Sequence, residues 1–180
     1  RSLAGSDRLQ VIQGDVRDTR AVMQAAREVT EIYHLAAQVA VTTSVDDPVS
    51  DLQVNANGTL NVLEAARRVA DEPFVLYTST NKVYGSLPGL SIEKQKTRYR
   101  AEAREFRGVD ESQPLDFHSP YGCSKGTADQ YVHDYGRIYG LPTVVFRMAG
   151  IAGPRQLGNE DQGWVAHFLY SVLGRRTLTI

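Results

Sequence analysis

The stretch FVLYTSTNKVYG, residues 74–85, indicates how this chain folds. It opens with four apolar residues, Phe74 to Tyr77, and continues with polar and turn-forming residues, which is typical of a buried strand that ends in a loop. Three further short runs have the same character: Leu9 to Ile12, Ile32 to His34 and Thr143 to Arg147. The sequence therefore predicts several short, buried strands.

Helical patterns separate these runs. Asp18 is expected to cap a helix that extends to about Val29, and apolar residues recur at helical spacing in Pro48 to Val69 and in Tyr121 to Tyr139. Strands that alternate with helices form parallel sheets through right-handed crossovers, so the predicted fold class is α/β, a Rossmann-like doubly wound parallel sheet. The charged segment Pro88 to Gln113 has no sustained period and is predicted to be a long surface loop.

The two ends of the sequence look abrupt for such a sheet. A polar stretch precedes Leu9, and the sequence stops at Leu178 to Ile180, partway through what resembles another strand. A dinucleotide-binding sheet opens with a strand, a glycine-rich turn and a helix whose N-terminus holds the pyrophosphate. No G-x-G-x-x-G motif occurs here, so such a turn would have to precede Arg1. The sheet is therefore expected to be truncated at both ends.

Composition restricts the class of partner. The chain has 180 residues, 42% hydrophobic and 23% charged, which suits one globular domain. Its net charge of −1 offers no basic surface for nucleic acid or an anionic membrane, so a small-molecule partner is favoured. Cys123 is the only cysteine and no histidine pair has metal-ligand spacing, so neither an internal disulfide nor a metal site is expected. The absence of long apolar runs and of a signal pattern favours a cytoplasmic protein.

The segment SPYGCSK, residues 119–125, carries the main chemical signal. Ser119 is expected to act as the N-cap of a helix, and Pro120 suits the first helical position. Tyr121 and Lys125 then share one helix face, where the ammonium could lower the phenol's pKa and make a general base. The alternative is a tyrosine that only packs and a lysine that is only solvated.

Six segments carry a family resemblance through their order and spacing: Gly14 to Asp18, His34 to Gln38, Asn55 to Thr59, Thr78 to Gly85, Pro120 to Lys125 and Arg147 to Arg155. Together they resemble the extended short-chain dehydrogenases that act on nucleotide-diphosphate sugars, and the resemblance covers nearly the whole chain. Within that family, Thr78 to Gly85, Gly108 to Ser112 and Glu160 to Phe168 resemble the 2-epimerases of CDP-sugars.

The resemblance implies three catalytic residues. Tyr121 matches the family's acid/base, which exchanges a proton with a sugar hydroxyl while hydride moves between the same carbon and NAD. Lys125 matches the lysine that lowers the tyrosine pKa and binds the nicotinamide ribose. Thr80 matches the hydroxyl that contacts the substrate, and Ser79 is the alternative if the turn is shifted. Thr80 also follows an apolar run, at the strand end where such sheets bind ligands.

The resemblance also implies NAD as cofactor and a set of binding residues. Asp15 and Val16 match the adenine site, although Asp15 could equally be a turn or capping residue. The expected NAD contacts are Asp15, Val16, Ala36, Ala37, Gln38, Asn55, Thr78, Tyr121, Lys125 and Met148. Asn55 could alternatively bond only locally. The expected substrate contacts are Thr80, Asn81 and Arg155, and Arg155 could instead be a solvated loop residue.

The two residues that follow Thr80 favour epimerisation over dehydration. The family's 4,6-dehydratases carry Asp-Glu there, whereas this chain has Asn81-Lys82, so the acid and base for dehydration are missing. An epimerase is therefore favoured, and the resemblance to the CDP-sugar 2-epimerases implies inversion at C2. The alternatives are a UDP-sugar 4-epimerase, another nucleotide-sugar epimerase or dehydratase, and a non-catalytic NAD-binding sensor.

The domain expectation follows from the same resemblance. Residues 1–180 are expected to form a partial NAD-binding domain, with the start of a substrate-binding part near 151–180. The expected partner is a nucleotide-diphosphate sugar, with no nucleic acid or membrane, and a homo-oligomer is compatible with the sequence. A piece without the glycine turn can be inactive by itself.

Overall fold

The computed structural model describes residues 9–69, 72–103, 105–159 and 161–178. Three parallel strands form its main sheet in the order β1 (Glu31–His34), β2 (Phe74–Thr80), β5 (Thr143–Met148). Glu31 pairs with Phe74 at one side of β2, and Val75 pairs with Thr143 at the other. Since β2 is central, the stretch quoted from the sequence does organise the sheet, and the predicted Rossmann-like α/β class is confirmed.

Six α-helices accompany the strands in the described residues, together with one π-helical turn and one 3-10 turn. The π turn, Gln53–Asn57, continues α3 directly into α4, and the 3-10 turn, Asn81–Tyr84, follows β2. The α-helices are α1 (Thr19–Ala25), α2 (Val41–Asp46), α3 (Pro48–Leu52), α4 (Gly58–Arg67), α5 (Ser119–Tyr139) and α6 (Trp164–Leu173). The polar helix α2 had no apolar period and was not predicted.

The starts of α1 and α5 can be compared with the capping residues that the sequence predicts. Asp18 accepts from the backbone N–H groups of Arg20 and Ala21, as predicted, although α1 ends at Ala25 rather than near Val29. The start of α5 differs from the prediction by one residue. Its N-cap is His118, which makes no side-chain cap bond, while the Ser119 hydroxyl accepts from the Gly122 N–H at 3.2 Å. Ser119 thus makes the predicted bond from inside the helix.

Two strand and loop predictions are wrong. Leu9 to Ile12 form no strand in the structure, and Val11 is 83% exposed. No described strand lies beside them, and an extended segment without a ladder partner gains neither hydrogen bonds nor cover. The segment Pro88 to Gln113 is not all loop, because it contains an antiparallel hairpin of two short strands, β3 (Ile92–Lys94) and β4 (Tyr99–Ala101). The strand expected at Leu178 to Ile180 falls largely on residues outside the described ranges.

The core lies between the central strand and two helices. Leu63 and Ala66 of α4 meet Val132 of α5 over Val75 and Tyr77 of β2, all of them buried. This packing fixes α5 against the carboxyl end of β2, where the predicted site residues lie. Gly126 is required for the close approach, since a Cβ there would lie 2.4 Å from the Phe117 ring.

Candidate active site

A cavity of about 650 Å³ opens at the carboxyl ends of β2 and β5. Ligands of open parallel sheets bind at this edge. Its lining includes most residues that the sequence singled out for chemistry, namely Thr78, Thr80, Asn81, Tyr121, Lys125 and Met148. The structure therefore brings these predicted residues together, although they are separated by up to 70 positions along the chain.

Thr80 ends β2 at the cavity. Its hydroxyl accepts from the Lys82 N–H at 3.2 Å and so caps the 3-10 turn that carries Asn81. The same side chain interacts with the phenol of Tyr121, and this interaction lowers the phenol's pKa. Burial has the larger effect and raises the pKa of Tyr121 above its ordinary value.

Lys125 is only 3% exposed. Its Nζ donates to the Thr78 carbonyl at 2.6 Å and lies 4.3 Å from the centre of the Tyr77 ring. Burial lowers the pKa of Lys125 to about 8, and the nearby carboxylates of Asp129 and Asp51 oppose that shift. At neutral pH the Lys125 side chain is therefore mostly a cation, and it lines the cavity.

The predicted tuning of Tyr121 by Lys125 is not seen in this structure. The ammonium bonds to the Thr78 carbonyl rather than to the phenol, and the pKa of Tyr121 is raised by burial rather than lowered. The sequence argument used only the shared helix face. It could not include the desolvation that accompanies packing against β2.

The backbone at the start of α5 is fixed by a serine that the sequence analysis missed. Ser44 of α2 is fully buried, and its hydroxyl accepts from the Tyr121 N–H at 3.1 Å and donates to the Val41 carbonyl at 2.7 Å. An unpaired N–H at a helix start is thereby satisfied. The contact joins residues 77 positions apart, so no local pattern marks it.

Asn55 lies under the cavity and does not line it. Its Oδ1 accepts from the Gln38 N–H at 2.9 Å, and its Nδ2 donates to the Gln38 carbonyl at 3.1 Å. These bonds hold the loop Ala36-Ala37-Gln38 that follows β1. Asn55 sits in the π turn, a distortion often found at functional sites. The structure therefore places Asn55 and Gln38 as supports of this loop.

A second cavity of about 410 Å³ contains the residues predicted for adenine, with Asp15, Val16 and Ala36 in its lining. Arg17 holds the Asp15 carboxylate at 2.6 Å and thereby lowers the pKa of Asp15 to about 2. Asp18, not Asp15, caps the adjoining helix. Asp15 is thus ionised at neutral pH, and both of its carboxylate oxygens accept from Arg17.

The two cavities fit a dinucleotide. Ala36 lines the second cavity and the next residue, Ala37, lines the first. Small side chains at this strand end let a ligand pass close to the backbone. The buried Lys125 ammonium in the first cavity suits a ribose hydroxyl.

The segment after β5 forms the outer wall of the first cavity. Asp161, Gln162 and Trp164 line it, and the Gln162 amide donates to the Val39 carbonyl across the opening. Arg155 does not line either cavity: it is exposed in a turn at φ 67°. The structure thus does not bring Arg155 to the other predicted substrate contacts, because the turn directs it to solvent.

No group of three or more His, Cys, Asp or Glu side chains that could hold a metal ion lies in the described part of the chain. His34 is buried, bonds the Thr59 hydroxyl at 3.0 Å and stacks on Tyr77. Burial lowers the pKa of His34 to about 4, so it is neutral. Within the same ranges no helix is both long and apolar enough to cross a membrane.

Comparison of the sequence with known protein families shows the family of the chain. A family model described as GDP-mannose 4,6 dehydratase matches residues 2–169. The chain therefore belongs to this family, the extended short-chain dehydrogenases that comprise NAD-dependent epimerases and dehydratases.

Three individual proteins show which members of the family the chain is similar to. The chain is 46% identical to CDP-paratose 2-epimerase of Salmonella typhi over 92% of its own length and 49% of that protein. Among solved structures, the UDP-glucose 4-epimerase of Thermus thermophilus in complex with NAD is 34% identical with a TM-score of 0.74, covering 99% of this chain and 55% of that one. A dTDP-glucose 4,6-dehydratase from Streptomyces venezuelae with NAD bound is 28% identical, with a TM-score of 0.75 over 98% of this chain and 48% of that one. The chain spans about half the length of the proteins it matches.

Proposed function

We propose that the complete protein is an NAD-dependent epimerase that interconverts CDP-paratose and CDP-tyvelose at C2 of the sugar. One observation carries the proposal: Thr80, Tyr121 and Lys125 meet at one cavity in a chain 46% identical to a CDP-paratose 2-epimerase. The substrate would be a nucleotide-diphosphate sugar, and the protein would work in the cytoplasm, where its lone cysteine stays reduced. Neither a nucleic acid nor a membrane is part of the proposal, and a homo-oligomer is compatible with it.

In this proposal NAD, when bound, accepts a hydride from the sugar carbon and returns it to the opposite face. Tyr121 exchanges the proton of the hydroxyl on that carbon, and the Thr80 hydroxyl orients the same group by hydrogen bonding. Lys125 would hold the nicotinamide ribose through its ammonium, and Thr78 and Met148 line the same cavity. Asp15 and Val16 would hold the adenine. Ala36, Ala37 and Gln38 would form the neighbouring loop, which Asn55 holds in place through its bonds to Gln38.

The wall formed by 161–165 supports the proposal that a substrate-binding part begins near residue 151. Asp161 accepts from the Thr42 hydroxyl at 3.1 Å, so this wall is joined to α2 on the far side of the opening. A sugar in the cavity would then be enclosed between β5 and α2. Asn81 would face it from the 3-10 turn, whereas a role for Arg155 would require its turn to move.

Replacing Lys125 by Met is expected to weaken NAD binding about tenfold or more, the value of a lost charge-assisted hydrogen bond. The wild-type affinity should fall as pH rises through about 8, because Lys125 loses its charge there. The variant should lack this fall. Calorimetric titration of cofactor-free enzyme between pH 6.5 and 9.5 measures both. An unchanged affinity and the same pH dependence in the variant would refute the assignment.

Replacing Asn81-Lys82 by Asp-Glu is expected to introduce dehydration of a keto-sugar intermediate, because a carboxylic acid and a carboxylate then face the cavity. From a C2 ketone, water is lost as a C3 proton and the C4 hydroxyl, so the product to detect by NMR is an unsaturated 2-keto sugar. Gln95-Lys96 in the hairpin of β3 and β4 offers a control pair for the same exchange. If no unsaturated keto-sugar forms, these two residues do not explain the choice of reaction.

The proposed function is tested on the purified complete protein. Bound cofactor is released by denaturation and identified, and the enzyme is incubated separately with CDP-paratose and UDP-glucose while NMR follows sugar stereochemistry. NAD with inversion at C2 of CDP-paratose is the expected result. Inversion at C4 of UDP-glucose would move the function to the 4-epimerases, which the 34% identical structure also favours. Bound NAD without turnover of either sugar would favour a sensor.

A further inference from the structure

Asp51 of α3 is a buried carboxylate that the proposed chemistry does not use. Only 1% of the residue is exposed. Its Oδ1 accepts from the Asn55 Nδ2 at 3.0 Å, while its Oδ2 has no hydrogen-bond partner among the described residues. Burying a carboxylate is costly unless it is paired, so a half-paired one in the interior requires an explanation.

The carboxylate belongs to a chain of hydrogen bonds that ends at the active-site helix. Asn55 Nδ2 lies within hydrogen-bond distance of three acceptors: Asp51 Oδ1 and Ser124 Oγ, both at 3.0 Å, and the Gln38 carbonyl at 3.1 Å. The Ser124 hydroxyl in turn donates to the Tyr121 carbonyl at 3.1 Å. Asp51 therefore helps to fix both the loop after β1 and the first turn of α5.

Asp51 also stands near an ammonium that lacks an ion-pair partner. No carboxylate lies within 4 Å of Lys125 Nζ in the part of the chain that the structure describes. The titratable and charged groups that face Lys125 are His34 of β1, Tyr77 of β2, Asp51 of α3, and Tyr121 and Asp129 of α5. His34 is neutral, and Asp129 is already bound by the Arg147 guanidinium. Asp51 has no such cation partner among the described residues. Burial raises the pKa of Asp51, and the Ser124 hydroxyl and the charge of Lys125 oppose that shift.

We propose that Asp51 is a positioning residue of the site, whose buried carboxylate orients Asn55 and adds to the negative charge of Asp129 that helps to keep Lys125 protonated. This inference rests on the proposed function, since it assigns Lys125 to NAD binding. Asp51 touches neither cavity, so it would act only through Asn55 and Lys125.

The test compares the complete wild-type enzyme with Asp51→Asn and with the control Asp46→Asn, which removes an exposed carboxylate from the adjacent helix α2. NAD affinity is measured calorimetrically from pH 6 to 10. Without the neighbouring charge, Lys125 should lose its proton earlier. The midpoint of the fall in affinity should therefore move down by about one pH unit in Asp51→Asn. The control should match the wild type, and Asp51→Glu should restore much of the midpoint.

Coincident midpoints in Asp51→Asn and wild type would overturn the inference. If the variant does not fold, NMR of the wild-type enzyme labelled with ¹³C-lysine decides, with Lys125→Met used to assign the signal. A Lys125 midpoint near 8 or above is expected, and one below about 7 would contradict a compensating charge. A wild-type enzyme that binds no NAD would instead refute the proposed function, so the two failures are distinguishable.

Discussion

Turnover should fall by about a thousandfold when Tyr121 is replaced by Phe in the complete enzyme, while NAD stays bound. The variant loses only the phenolic hydroxyl, which exchanges the substrate proton in the proposed reaction, and general acid–base catalysis is commonly worth about 10²–10⁴ in rate. The backbone contact of residue 121 with Ser44 does not involve the side chain, so the start of α5 should be preserved.

The measurement is the rate of C2 inversion at saturating CDP-paratose, together with the NAD content of the purified protein. Tyr131→Phe is the matched control, since Tyr131 lies in the same helix, is 44% exposed and lines neither cavity. Its rate should equal that of the wild type. A Tyr121→Phe enzyme that retains the wild-type rate would remove Tyr121 from the chemistry.

The second large effect concerns stability. The Arg147 guanidinium at the end of β5 donates through Nε and Nη2 to the fully buried Asp129 carboxylate, at 2.9 and 2.8 Å, and through Nη1 to the Tyr84 hydroxyl at 3.0 Å. Replacing Arg147 by Met leaves Asp129 buried without its guanidinium partner, and among its ion pairs in the described residues only the His133 Nε2, at 3.7 Å, remains. Breaking a buried pair in this way typically costs about 3–5 kcal/mol, so a loss of that order in the free energy of unfolding is expected.

The loss should also depend on pH. Burial by itself raises the pKa of Asp129, but Arg147 and other donors outweigh it, so the pKa in the native protein is lowered. Without Arg147 the native pKa should rise above the unfolded value, and the variant then loses stability as pH rises between those two values. The destabilisation should therefore be smaller near pH 4 than at pH 7.

Urea denaturation at the two pH values measures this loss. Arg67→Met serves as control, because Arg67 pairs with Glu64 at the surface and its removal should cost far less. Equal losses for the two arginine variants, or a loss for Arg147→Met that does not vary with pH, would contradict the account of this ion pair.

The strands show what sequence patterns could predict. Phe74 to Tyr77 and Thr143 to Arg147 are strands because each has a parallel neighbour that satisfies its backbone. Leu9 to Ile12 has the same apolar character but no adjacent described strand, and a pattern of apolar residues does not reveal a missing partner. The hairpin of β3 and β4 escaped prediction for the opposite reason. Its strands have three residues each, too few to establish a period.

The site was predictable where chemistry and local spacing coincide. Tyr121 and Lys125 share a helix face and Thr80 ends a strand, so their meeting at one cavity could be predicted from the sequence, whereas their catalytic roles stay predictions. Ser44 and Ser124 act through contacts between distant segments, which no local spacing encodes. The contact between Asp51 and Asn55 could have been predicted, because Asp51 precedes Asn55 by four residues, the separation at which helical side chains meet.

The central claim is that hydride leaves and returns to the same sugar carbon within one closed site, with Tyr121 exchanging only the hydroxyl proton. The measurement that tests it most directly uses CDP-paratose carrying deuterium at C2, incubated with the complete enzyme in ordinary water and followed by NMR. Product inverted at C2 that retains the deuterium is the predicted result, because a hydride transferred to a bound cofactor does not exchange with solvent. Inverted product that has lost its deuterium to water would show that the carbon was deprotonated instead, and would contradict the account.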